Sequence, residues 1–109
     1  MKFKIKISES TTFDDIRTEL ENLKSANINE IPLNHLLKIT EFLGAKRITA
    51  TGSSVRFQHE ILKNYPPYKG FFQVHKIHKG GDLDLIRKND FKTYVYPVLM
   101  LIIELLEKK

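Results

Sequence analysis

His75 and His78 stand three positions apart at the end of an apolar, aromatic run, in the stretch VHKIHKGG, and a lysine and two glycines surround and follow them. Histidine has an ordinary pKa close to neutrality, so a pair suits chemistry in which one proton is taken and another given back. Cleavage of RNA without a metal is such a reaction. A base removes the 2′-hydroxyl proton, an acid protonates the leaving 5′-oxygen, and positive charge stabilises the phosphorane between them. His78 and His75 are the acid/base candidates. Arg56, Lys76 and Lys79 are candidates to hold phosphate, Ser54 offers a hydroxyl donor, and Gly80 and Gly81 let phosphate oxygens approach backbone N–H groups. In a regular strand residues 75 and 78 point to opposite faces, so both serve one site only if the strand bulges or ends between them.

Other reactive side chains read differently. His59 shares a strand face with Val55 and Phe57 and is expected in the core or at an edge; His35, in the first turn of a helix, is expected in solvent. No carboxylate has a ligand spacing beside His59, His75 and His78, so neither a metal site nor a cofactor is expected. Ser54 lacks a His-Asp arrangement that would make it a nucleophile. Tyr65, Tyr68, Phe71 and Phe72 are candidates to stack on bases, although Phe71 and Phe72 lie on opposite strand faces and at least one must be core.

The charge layout agrees with a nucleic-acid surface. Residues 1–37 hold five Lys/Arg against six Asp/Glu and residues 93–109 hold two against two, whereas residues 38–92 hold eleven against five. The whole positive excess thus falls in the middle of the chain, where the histidines are. A length of 109 residues fits one domain, and 41% apolar with 28% charged residues argues against disorder. The absence of Cys excludes disulfides and thiolate chemistry. The longest apolar run, VLMLII, is far short of the roughly 20 residues that span a bilayer, and the basic MKFKIKI start alternates instead of opening a signal peptide. A soluble, cytoplasmic protein is expected.

These residues need elements to position them. Phe3, Ile5 and Ile7 alternate with lysines, a strand pattern. SESTTFDD supplies a cap and first-turn acids for a helix from about Thr12 to Ser25, with Phe13, Ile16, Leu20 and Leu23 on its inward face. NINEIP reads as a connector. A second helix follows with Leu33, Leu36, Leu37, Thr40 and Leu43 inward, closed by Gly44. KRITA, the TG turn and SSVRFQH make a hairpin, EILKNYPPYK a long loop, and GFFQVHKIH a third strand. KGGDLDLIRKNDFKT is ambiguous at its centre. The last helix is expected from about Pro97, with Val98, Leu101, Ile102 and Leu105 inward. The expected class is α+β: residues 1–30 form a β-α extension, and residues 31–109 form a helix-strand-strand-strand-helix core with helices on one face of an antiparallel sheet and the other face open.

That order is the order of the double-stranded-RNA-binding domain, and the local residues resemble the HicA family of toxin-antitoxin ribonucleases. LLKITEFLGAKRITATGSSVRF is similar to the family's Leu-rich helix ending in Gly, followed by a strand and a Gly-Ser pair. FQVHKIHKGGDL is similar to its third strand, which in longer members carries His-x-x-His, and FKTYVYPVLMLIIELLEKK sits where the family has a Lys and a Tyr before its last helix. The resemblance covers about residues 31–108. In most members a catalytic His directly follows Gly-Ser; here Gly52-Ser53 is followed by Ser54. His78 matches the His retained on the family's third strand and His75 the additional one. The resemblance implies a metal-independent endoribonuclease acting on mRNA and neutralised by an acidic antitoxin. A non-catalytic RNA-binding module of the same fold, or a protein-interaction domain using the N-terminal strand and helix, is the alternative.

Overall fold

The hydroxyl and acid cluster caps a helix as predicted. In the computed structural model, which describes residues 7–48, 52–78 and 84–109, α1 (Phe13–Ser25) begins with a reciprocal cap. The Asp15 N–H donates to Thr12 Oγ1 at 3.2 Å, and the Thr12 N–H donates to Asp15 Oδ2 at 2.9 Å. Ile16, Leu20 and Leu23 are fully buried on one stripe. The strand expected over the first residues lies, apart from Ile7, outside the described residues.

The connector NINEIP holds a strand that the sequence pattern did not reveal. β1 (Glu30–Pro32) pairs antiparallel with β6 (Asp84–Arg87), setting Ile31 opposite Ile86 with both fully buried. α2 (Leu33–Phe42) follows at once and buries Leu33, His35, Leu36, Ile39 and Thr40. Ile39, not Leu37, takes the inward position, and Leu37 packs only partly against the core. His35 corrects an expectation: it is 5% exposed, with Nε2 3.4 Å from the Glu19 carboxylate of α1. A first-turn position faces solvent only where no neighbour covers it, and here α1 does. Gly44 ends α2 at φ 87°, and a Cβ there would lie 3.2 Å from His59 Nε2, so both conformation and space require glycine.

The hairpin forms as expected, from β2 (Lys46–Ile48) and β3 (Ser54–Gln58), and β4 (Phe71–His75) adds to β3 antiparallel. Val55, Phe57, Phe72 and Val74 face inward. Phe57 and Phe72 are directly opposite and stack with centroids 5.0 Å apart. Arg56, Gln58, Gln73 and His75 are exposed on the other face. One face of the β2–β3–β4 sheet is therefore core and the other is open.

The expected third strand does not run unbroken from Gly70 to His78. It ends at His75, Lys76 belongs to neither sheet, and β5 (Ile77–His78) pairs with β6, so the chain passes from one three-stranded antiparallel sheet into a second, ordered β1–β6–β5. The ambiguous centre of KGGDLDLIRKNDFKT is β6 followed by a helical start.

The last helix also departs from expectation. α3 (Lys88–Asp90) leads through a π turn (Phe91–Val95) into α4 (Tyr96–Glu107), so helical structure starts nine residues before Pro97. Proline lacks an N–H, and its ring presses on the carbonyl four residues back. The turn widens just before it, with the Tyr96 N–H bonded to the Phe91 carbonyl, which relieves that crowding within a continuing helix. α4 buries Val98, Leu99, Ile102 and Ile103; Leu101 and Leu105 are only half-buried.

Residues of α1, β1, α2, β3, β4, β6 and α4 share one apolar core. α1 lies against α4 through an Arg17–Glu107 ion pair, a hydrogen bond from the Tyr96 hydroxyl to Glu21, and the Lys24 ammonium 4.4 Å above the Tyr96 ring. Burying Ile16, Leu20 and Leu23 is worth about 1.5–3 kcal/mol each, so this helix is part of the folding unit and not an appendage. No helix among the described residues is long and apolar enough to cross a membrane.

Candidate functional site

The strand break at Lys76 decides how the histidines are placed. A continuous strand would send His75 and His78 to opposite faces of one sheet; ending it puts His75 at the end of β4 and His78 on the two-residue β5. Each then acquires its own neighbours.

His78 stands directly across from Asp84, with Nδ1 2.7 Å from Asp84 Oδ1. The second carboxylate oxygen, Oδ2, accepts from the Lys76 ammonium at 3.0 Å. Asp84 thereby accepts from two donors, and its carboxyl is held below the usual carboxylate range first by the His78 hydrogen bond and then by Lys76. A carboxylate only accepts, so His78 Nδ1 carries a proton and Nε2 keeps its lone pair. The ring is 60% exposed, leaving Nε2 open to a ligand. An oriented imidazole with an outward lone pair is the arrangement of a general base.

His75 is exposed on the open sheet face, opposite Ser54. Ser53 Oγ lies 3.3 Å from its Nε2 and 3.4 Å from Nδ1, long contacts that leave the ring free to engage a ligand. The Lys76 N–H donates to the Ser53 carbonyl at 2.7 Å, fixing the strand end beside it. Two pairs further along, on the same face, Arg56 is opposite Gln73, and its guanidinium lies 4.5 Å from the Phe71 ring centroid. Stacking on an aromatic face restrains the guanidinium while its N–H edges remain available for phosphate.

The structure therefore brings together His78, Lys76 and Asp84 in one cluster, and His75, Ser53 and Ser54 in another; no hydrogen bond joins His75 to His78. Lys76, expected on phosphate, is engaged with Asp84. Lys79, Gly80 and Gly81 lie outside the described residues. His59 is at an edge as expected: its Nε2–H donates to the Leu43 carbonyl at 2.7 Å and Nδ1 accepts from the Ile61 N–H at 3.1 Å, which occupies both nitrogens. Phe72 is core, Phe71 lines the open side, and Tyr65 is 40% exposed while Tyr68 packs partly against the core. Among the described residues no group of three His, Asp or Glu side chains is placed to hold a metal ion.

Asp84 was missed in the sequence. Its signal is its place six residues after His78, legible only once β5 and β6 are paired. No protein-family model matches the chain, and neither a curated protein nor a solved structure matches it significantly.

Proposed function

We propose that this chain is a HicA-like endoribonuclease that cleaves mRNA without a metal and is neutralised by an acidic antitoxin seated on its basic face. The observation that carries the proposal is the His78–Asp84 pair, which leaves a proton-accepting nitrogen open to solvent. The order α2, β2–β3–β4, α4 is compatible with the double-stranded-RNA-binding-domain arrangement. Ser54, at the position where most of that family carries its catalytic histidine, has His75 directly across the strand pair. An imidazole from the neighbouring strand thus stands opposite the place where one is missing.

In this mechanism His78 Nε2 removes the proton of a 2′-hydroxyl, whose oxygen attacks the adjacent phosphorus. The P–O5′ bond breaks as protonated His75 gives its proton to the leaving oxygen, and the products are a 2′,3′-cyclic phosphate and a free 5′-hydroxyl. Arg56 and the backbone around residue 76 stabilise the charge on the non-bridging oxygens.

A non-catalytic RNA-binding module is the second reading, favoured by the engagement of Lys76 with Asp84 in place of phosphate. Incubating a long single-stranded RNA with the purified chain in EDTA, beside the His75→Ala/His78→Ala double variant, separates the two. Cleavage by the wild type alone supports the ribonuclease. Salt-sensitive binding with no cleavage by either transfers the reading to the binding module. Equal cleavage by both refutes the assignment of this pair.

A further inference from the structure

The open sheet face leads away from His75 into a second feature. Along β4 the outward residues are His75, Gln73 and Phe71, each about 6.8 Å from the next at the usual strand rise. Beyond Phe71 a cleft of about 340 Å³ opens between the end of β3, the 3-10 turn Glu60–Leu62 and the start of β4. Phe71 and its cross-strand partner Gln58 form one side; Glu60, Lys63 and Lys69, with His59 and Gly70, line the rest. Neither lysine is ion-paired with another described residue.

Lys69 carries a second, independent signal. It has φ 52°, the only positive value among the described non-glycine residues. The turn that imposes it is closed by hydrogen bonds from the Lys69 N–H to the Tyr65 carbonyl at 3.2 Å and from the Gly70 N–H to the Leu62 carbonyl at 3.0 Å. A left-handed conformation suits glycine and disfavours lysine. The fold alone would be better served by glycine at position 69, as at position 70.

The chemistry of the cleft is that of a nucleotide site. An aromatic wall can stack on any base, an amide and a carboxylate can bond its edge, and two unpaired ammoniums can hold the phosphate. The cleft lies on the same face as His75, with the Arg56 guanidinium between them over Phe71. We infer that this cleft holds a nucleotide of the single-stranded RNA that flanks the one whose phosphate meets His75, so that the substrate lies along β4. This inference rests on the RNA reading above and adds a subsite to it.

The test uses the full chain with His78→Ala, so that a labelled single-stranded RNA is bound without being cut. Into it are placed Lys63→Gln with Lys69→Gly, Phe71→Leu alone, and Lys92→Gln with Lys108→Gln as a control of equal charge loss elsewhere. The expected result for the cleft lysines is an affinity loss on the order of tenfold and a salt dependence shallower by about one unit of slope. Phe71→Leu weakens binding with no change in that slope, and the control changes affinity little. A melting temperature for the lysine variant no lower than its parent's shows that the loss is not misfolding. Equal losses in the cleft and control variants, or no loss in the cleft variants, overturn the subsite while leaving RNA binding standing. A parent that binds no RNA removes the RNA reading and the subsite with it.

Discussion

Replacing Asp84 by Asn keeps the shape of the side chain and removes one acceptor. In the wild type both oxygens accept, one from His78 at 2.7 Å and one from Lys76 at 3.0 Å. An amide has one oxygen and one NH2 group, and an ammonium can only donate, so the amide oxygen stays on Lys76 and the NH2 turns to His78 Nδ1. Nδ1 must then accept, which moves the imidazole proton to Nε2, the atom assigned to take the 2′-hydroxyl proton. A positioned base contributes about 10²- to 10⁴-fold, and the cleavage rate is expected to fall by that order. Affinity for RNA should not fall, because the substitution removes a negative charge from a basic face. Single-turnover cleavage of end-labelled RNA in EDTA reads the rate, and long-range proton–nitrogen NMR of the imidazole reads which nitrogen is protonated. An unchanged rate with the proton moved to Nε2 refutes the role of His78 as base. An unmoved proton refutes the account of the Asp84 hydrogen bonds.

Four further outcomes follow from backbone and burial. Lys69→Gly removes a left-handed cost of about 1–2 kcal/mol and adds a glycine entropy cost of about 0.5–1 kcal/mol, so urea unfolding should show a gain on the order of 0.5–1 kcal/mol. Gly44→Ala, at φ 87° and with a Cβ 3.2 Å from His59 Nε2, should lose about 1–3 kcal/mol in the same assay. Gly52→Ala, at φ 69° with open space around it, should lose less. His35 is held below its ordinary value first by burial and then by Lys38, so as pH falls the unfolded chain binds the proton before the folded one does. The stability associated with neutral His35 is therefore complete above about pH 6.5 and declines below it. Burial raises neighbouring Glu19, whose contribution has the opposite slope above its ordinary value. Unfolding free energies of the wild type and His35→Gln across this pH range isolate the histidine: the decline below pH 6.5 should be present in the first and smaller in the second.

What was legible in the sequence followed from local chemistry. Thr12 with Asp15, Gly44 after an apolar stripe, and the alternation around Val55 and Phe57 each specify an element by themselves, and those elements formed. β1 is too short to show alternation, since Ile31 is its one buried residue; its existence depends on β6, more than fifty residues later. His35 looked exposed because the helix carrying it was read without the α1 surface that covers it. In GFFQVHKIH every residue suits a strand, and nothing local announces that the pairing partner changes from β3 to β6 at Lys76. Of the candidate site, the histidines and Arg56 were visible as residue types, whereas Asp84 became visible only through the pairing of β5 with β6.

The widened turn before Pro97 sets an angular phase for everything ahead of it. The Tyr96 N–H reaches back five residues to Phe91, where an α-helix would reach back four. The segment therefore contains one residue more than a regular helix needs there. Deleting one residue from Phe91 to Val95 would let the helix close into α form with little change of phase on either side, because the widened turn already absorbs the extra residue; deleting one from the regular turn before it, Lys88–Asp90, would instead turn all that precedes it by about 100°. β6 ends at Arg87, immediately before this helical segment, and Asp84 is on β6. A single-residue deletion between Lys88 and Asp90 would thus rotate the strand that aims Asp84 at His78, whereas the same deletion a few residues on, inside the widened turn, would leave that aim nearly unchanged.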